Sequence, residues 1–140
     1  GTDLACDYFE GTALYVPPEV ATGTGLATPA IDVYSHASTI YHLLTGRPVF
    51  DGDSPIAIAT AHVTQPAPSL ETALDKQMTS EYEPYQEPLS MALEKEPQTR
   101  PPLEEYLASL KEAQAQAEQR KERTIFDLKR RGKQKGRHKA

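Results

Sequence analysis

The sequence predicts a mainly α-helical fold, and three observations carry that prediction. Apolar residues recur at helical spacing in two stretches, one from Ala30 to Thr45 and one beginning at Leu103. Between them, prolines and glycines fall where helices start or stop. No repeat of 20 to 50 residues is present, which excludes a solenoid.

Taken in order, residues 1–29 read as irregular, because Pro17-Pro18, Thr22-Gly23-Thr24-Gly25 and Thr28-Pro29 all interrupt regular structure. In the first helix, Ile31, Tyr34, Ala37, Ile40, Tyr41 and Leu44 share a face. Val33 and Leu43 extend it most of the way round, so a helix buried in mid-domain is expected. Gly46 stops it and Pro48 leads the chain away. Asp51-Gly52-Asp53 forms a turn, Ser54 caps the next helix and Pro55 opens it, with Ile56 to Thr64 as its body. Pro66 and Pro68 then open a loop. The acidic stretch 69–87 admits both helix and loop. Pro88 to Lys95 predicts a short helix with Leu89, Ala92 and Leu93 inward, stopped by Pro97. After Pro101-Pro102, Leu103, Tyr106, Leu107 and Leu110 make an i, i+3, i+4, i+7 stripe. Beyond Lys111 the stripe thins to Ala113 and Ala117, a solvated helical extension, and residues 129–140 are expected to be disordered. The chain thus divides into 1–29, 30–110 and 111–140.

At 140 residues the chain is one small domain or a piece of a larger one, and a multidomain enzyme is excluded. The composition is 38% hydrophobic and 25% charged with mean hydropathy -0.58, and no apolar run approaches a membrane span. Cys6 is the single cysteine, so an intrachain disulfide and a cysteine-based zinc site are both excluded, and a reduced, cytoplasmic setting is expected. The net charge of -5 conceals a split. Residues 120–140 carry ten Lys and Arg against two acids, a net of +8, which leaves -13 for the other 119 residues.

Self-contained catalytic signatures are missing: there is no nucleophile elbow, Walker loop, His-Glu-x-x-His pair or calcium loop. Gly23-Thr24-Gly25 lacks the third glycine of a dinucleotide loop and reads as a flexible connection. His36 and His42, six residues apart, do not share a helical face and read as hydrogen-bonded histidines; no metal site is expected.

Taken together and in this order, Gly11 to Glu19, Asp32 to Ser35 with Leu43 to Phe50, and Ala92 to Pro101 resemble the C-terminal lobe of a bacterial-type (Hanks-type) serine/threonine protein kinase. Gly11-Thr12-Ala13-Leu14-Tyr15-Val16-Pro17-Pro18-Glu19 is similar to the G-T-x-x-Y-x-A-P-E that ends the family's activation segment. Asp32-Val33-Tyr34-Ser35, followed by the run from Leu43 to Phe50, resembles the central helix and its exit. Ala92 to Pro101 resembles A-L-x-K-D-P-x-x-R-P. Their order and spacing match over roughly residues 11–110. The resemblance implies a kinase-like C-lobe helical subdomain without the N-lobe, truncated or pseudokinase-like.

By that resemblance, Glu19 and Arg100 form a structural ion pair, for which the planar guanidinium of Arg is suited. Gly11, Thr12 and Tyr15 belong to the substrate-docking loop. Asp32 anchors the catalytic loop, with helix capping as its other role. Pro17, His36-Ala37 and His42 depart from the family pattern.

Phosphoryl transfer needs a glycine-rich cover, a phosphate-binding lysine, a magnesium-binding aspartate and a catalytic aspartate. Neither His-Arg-Asp nor Asp-Phe-Gly occurs in the chain, so no catalytic residue is assigned. The resemblance implies ATP and magnesium for a complete parent kinase and none for this piece. Its expected partners are a protein substrate or the missing N-terminal half. A non-catalytic interaction module is the alternative. The basic residues 120–140 add an expected weak electrostatic affinity for nucleic acid or an anionic membrane surface.

Overall fold

The computed structural model describes residues 13–24, 27–74 and 80–138, and no strand occurs among them. Six α-helices are described: α1 (Pro18–Ala21), α2 (Pro29–Thr45), α3 (Pro55–Thr64), α4 (Leu70–Ala73), α5 (Gln86–Ala92) and α6 (Leu103–His138). Short 3-10 turns at Glu83–Tyr85 and Pro97–Thr99 precede α5 and α6.

The expected punctuation operates locally. Pro29 opens α2, and Gly46 ends it in the left-handed region at φ 74°, donating its N–H to the His42 carbonyl at 2.8 Å. Ser54 caps α3 by accepting the Ala57 N–H at 3.1 Å. Pro17-Pro18 does not merely break structure, as the sequence suggests. Pro18 occupies the first position of α1, where its missing N–H has no intrahelical partner to lose. Likewise α5 begins two residues before Pro88 and stops at Ala92, because the 3-10 turn feeds straight into it.

The core lies between α2 and the elements on one side of it: α4, α5, α6 and the 97–99 turn. Val33, Tyr34, Ala37 and Tyr41 of α2 meet Leu70, Leu89, Ala92, Leu93 and Tyr106 there. Gln86 joins two of these elements, its Oε1 accepting the Leu70 N–H at 2.7 Å.

The central helix departs from expectation, being covered on one face only. Asp32, His36, Thr39 and Leu43 form an open stripe at i, i+4, i+7 and i+11, and Leu43 is 75% exposed. Among the described residues, the covering elements pack mainly on the opposite face, while His36 meets the Tyr106 hydroxyl of α6 through Nδ1 at 2.7 Å. The stripe on α6 is also narrower than predicted: Tyr106 and Ala113 are buried, whereas Leu107 is exposed.

The largest difference from the sequence reading is at the end of α6. Residues 129–138, expected to be disordered, continue the helix. Ala, Gln, Glu, Lys and Arg dominate from 111 onward and are strong helix formers, so the 3.6-residue repeat outlasts the apolar stripe despite Gly132 and Gly136. Arg120 ties the middle of α6 to the body, donating to Glu83 at 2.7 Å and to the Ser80 carbonyl at 2.9 Å. No helix among the described residues is long and apolar enough to cross a membrane.

Candidate functional site

The segment 13–17 leads into α1 and is held from below by side chains of α2 and α3. Ala13 and Val16 are buried and act as apolar anchors. Ser35 of α2 donates its hydroxyl to the Tyr15 carbonyl at 2.9 Å. One residue earlier, the Leu14 carbonyl accepts from His62 Nε2 at 3.1 Å. The Tyr15 hydroxyl meets His42 Nδ1 at 3.0 Å. Two backbone carbonyls and one side chain of this loop are therefore fixed by polar groups on the scaffold, which restrains both its path and its rotation.

His62 is fully buried on the inner face of α3, with Phe50 edge-on at 4.9 Å between ring centroids. Because Nε2–H donates to a carbonyl, Nδ1 is the acceptor, and the Tyr34 hydroxyl donates to it at 2.7 Å. Burial is the main cause that pushes the His62 pKa down, to about 4, with the nearby Lys95 charge adding to it and the Leu14 and Ala13 carbonyls opposing. His62 is thus a neutral relay between α2 and the loop. Burial raises the Tyr34 phenol above its ordinary value, so it keeps its proton.

Beyond the loop, Glu19 on α1 meets Arg100 in a paired, two-pronged contact of 2.7 Å (Nη1–Oε2) and 2.8 Å (Nη2–Oε1). The guanidinium also donates to the carbonyls of Glu94, Ala30 and Lys95 at 2.8, 3.0 and 3.3 Å, and it stacks over the Tyr34 ring at 4.8 Å. All its donors are engaged, which is what a buried arginine requires. Burial raises the Glu19 carboxyl pKa. The Arg100 hydrogen bond, the carboxyl's own backbone N–H and the Arg100 charge outweigh that, leaving it below the ordinary carboxylate value.

Lys95 lies beside this pair. Its Nζ is buried without a hydrogen-bond partner and sits 4.8 Å over the Phe50 ring. Burial and the Arg100 charge push its pKa down to about 8, against a small opposing pull from Glu94.

Of the residues singled out in the sequence, Glu19 and Arg100 meet directly, whereas Tyr15 is held separately by Ser35 and His42 of α2. Gly11 and Thr12 fall outside the described residues. Asp32 does not take the expected buried place: it is exposed in the first turn of α2 and makes no hydrogen bond among the described residues. It makes no capping hydrogen bond, and its carboxylate in the first turn is favourable toward the helix dipole without a partner.

Ser35, His62 and Lys95 were not foreseen. A faint signal existed for His62, a polar residue at i+4 from Ile58 in an otherwise apolar, Ala-rich helix. The described residues bring no three His, Cys, Asp or Glu side chains together. The open groove between residues 83–91 and α6 is lined by Glu83, Glu87, Glu105 and Glu112 together with Arg120.

Residues 2–110 match the protein kinase domain family. Among curated proteins, the serine/threonine-protein kinase drp72 of Corynebacterium efficiens is 40% identical over 90 residues, 64% of this chain and 16% of that protein. PknA of Corynebacterium glutamicum, a serine/threonine-protein kinase, is 38% identical over 92 residues, 66% of this chain and 18% of its own length. PknB of Mycobacterium tuberculosis is 46% identical over 55 residues, 39% of this chain and 9% of its own length. The match spans less than a fifth of each of these relatives.

Proposed function

Because the chain belongs to the protein kinase domain family, with bacterial serine/threonine kinases as its relatives, we propose that it is the substrate-side helical half of such a kinase domain and does not transfer phosphate by itself. On this reading the reaction of the complete parent is transfer of the terminal phosphoryl group of ATP to a Ser or Thr hydroxyl. The groups that hold ATP and magnesium lie elsewhere in the parent. The contribution of this chain is positional. Gly11, Thr12 and Tyr15 belong to the loop along which the acceptor segment lies, and the loop keeps its shape through Ser35, His62 and the Glu19–Arg100 pair. Fixing an acceptor in a near-attack geometry is a major part of phosphoryl-transfer catalysis, so a rigid loop matters even without a reacting group on it.

The observation that carries this reading is the open stripe of α2. Asp32, Thr39 and Leu43 are exposed along it, and the family resemblance puts the catalytic loop against Asp32. An aspartate and a leucine exposed together on a central helix form a surface suited to a segment that brings backbone donors and apolar cover.

The test is a pair of assays. The purified 140-residue chain, incubated with magnesium, radiolabelled ATP and a mixed Ser/Thr peptide substrate, incorporates no phosphate. A chimera joining the preceding part of the PknA kinase domain to this chain transfers phosphate, and Thr12→Ala reduces that transfer. Transfer by the isolated chain, abolished by substituting one of its own residues, overturns the proposal. A cooperative melt of the isolated chain together with an inactive chimera assigns it instead to a non-catalytic interaction module.

A further inference from the structure

The second half of α6 has no role in the loop scaffold, and its chemistry is distinct from the rest of the molecule. Every residue from 121 to 136 is exposed, so this part of the helix extends about 24 Å clear of the body at 1.5 Å per residue. It carries seven Lys and Arg against Glu122 and Asp127. Three large apolar side chains interrupt this charged surface: Ile125, Phe126 and Leu128, exposed by 44%, 64% and 61%. A helix that exists only to be solvated has no use for them.

Their placement is ordered. At 100° per residue, Ile125, Phe126 and Leu128 fall within one arc of α6. Gly132 and Gly136 continue the centre of that arc toward the C-terminus, with open space around both Cα atoms. That arc spans about 160°; Lys121, Glu122, Lys129 and Lys133 are interspersed within it and Lys135 lies at its edge, while Arg123, Asp127, Arg130, Arg131 and Gln134 take the opposite side. Exposed apolar side chains interspersed with lysines on one face suit a helix lying in the plane of a membrane interface. The strip enters the acyl boundary, and the lysine stems run along it and return their ammonium groups to the headgroups.

We propose that residues 121–136 form a binding site for an anionic phospholipid surface. The partner is identified by two matching features, positive charge for acidic headgroups and exposed aliphatic and aromatic side chains for the hydrocarbon boundary. Duplex or single-stranded nucleic acid would use the charge and leave Ile125 and Leu128 without a purpose, since only Phe126 can stack on a base. The acidic body, with net charge -13 over residues 1–119, is repelled by the same surface, which leaves α6 as the point of attachment.

The chain contains no tryptophan, so Phe126→Trp provides a single reporter at one edge of the apolar arc. The full-length variant is titrated with vesicles of phosphatidylcholine alone, with vesicles containing phosphatidylglycerol, and with a DNA duplex. The expected result is a blue-shifted emission and co-sedimentation with the anionic vesicles only. Lys129→Gln and Lys133→Gln each weaken that binding about fivefold at low salt, and Ile125→Ser with Leu128→Ser weakens it about tenfold or more. Equal binding to neutral vesicles, no binding to anionic ones, or tighter binding to DNA that is indifferent to the Ile125→Ser and Leu128→Ser changes would overturn the proposal. So would emission already blue-shifted without lipid, which marks a second copy of the chain covering the strip.

Discussion

Arg100 and Glu19 stand 81 residues apart in sequence and meet through two parallel hydrogen bonds of 2.7 and 2.8 Å. Because the same guanidinium donates to the Ala30 carbonyl at the start of α2 and stacks on Tyr34, one side chain joins α1, α2 and the turn before α6. The relationship is costly to assemble, since both charges leave water. It is more costly to leave half made.

Removing one partner leaves the other charge buried. Arg100→Ala and Glu19→Ala are each expected to destabilise the chain by about 3–5 kcal/mol, and the double variant by less than the sum, as a double-mutant cycle in urea would show. Arg100→Lys does not rescue, because an ammonium cannot reach the carboxylate and three carbonyls at once. The sign for pH follows from the depressed Glu19 pKa: its contribution is complete above the ordinary carboxylate range and is lost as pH falls through the folded value.

His62 makes a second acid-sensitive contribution. Its pKa falls from an ordinary 6.5 to about 4 in the folded chain, so between those values the unfolded state binds a proton that the native state refuses. Stability therefore declines as pH drops from about 6.5 to about 4, by about 3 kcal/mol in total. His62→Gln should flatten that part of the curve of melting temperature against pH. An unchanged slope would assign the loss to other groups.

Tyr34→Phe deletes the hydroxyl that donates to His62 Nδ1 at 2.7 Å and leaves a buried acceptor unpaired. The expected cost is about 1–3 kcal/mol. The same variant should raise the His62 pKa, measurable by titrating its ring proton resonances, because the unpaired Nδ1 becomes available to a proton.

Lys95 carries a buried ammonium with no hydrogen-bond acceptor and a pKa lowered to about 8. Its unfolded state binds more protons between about 8 and its ordinary 10.5, so stability rises with pH across that window. Lys95→Met keeps the stem against Phe50 and discards the charge. It should stabilise the chain by about 1 kcal/mol at pH 7 after solvent screening, and the gain should vanish above the ordinary lysine pKa.

Asp32→Asn offers a contrast. The residue is exposed and makes no hydrogen bond among the described residues, so only its favourable placement at the start of α2 is lost, worth about 0.3–1 kcal/mol. A much larger loss on denaturant unfolding would show that Asp32 holds a partner in solution.

How much was legible varied with how local the cause was. Ser54 capping α3, Gly46 ending α2 and the inward Leu89, Ala92 and Leu93 could all be read from short stretches, because each depends on neighbours within a turn or two. The Glu19–Arg100 pair was legible only through the family resemblance, since nothing in residues 19 or 100 by themselves names the other. His62, Ser35 and Lys95 escaped because a polar residue gains a role only when a distant backbone or ring is brought to it. Asp32 is exposed although its sequence neighbours are apolar, because its face of the helix is left uncovered among the described residues.

By itself the sequence determined α2 and α3 with their caps, the existence of α5, the start of α6, the division of charge between an acidic body and a basic α6 terminus, and membership of a family through three motifs in order. These follow from backbone preferences, hydrophobic period and composition, which act over a few residues. Tertiary structure alone decided that α2 buries one face and opens another, that His62 stays neutral between Tyr34 and Leu14, and that Arg100 spends all its donors on three separate segments. Those outcomes depend on desolvation and on hydrogen bonds across tens of residues, and such energies exist only once the chain has brought the partners together.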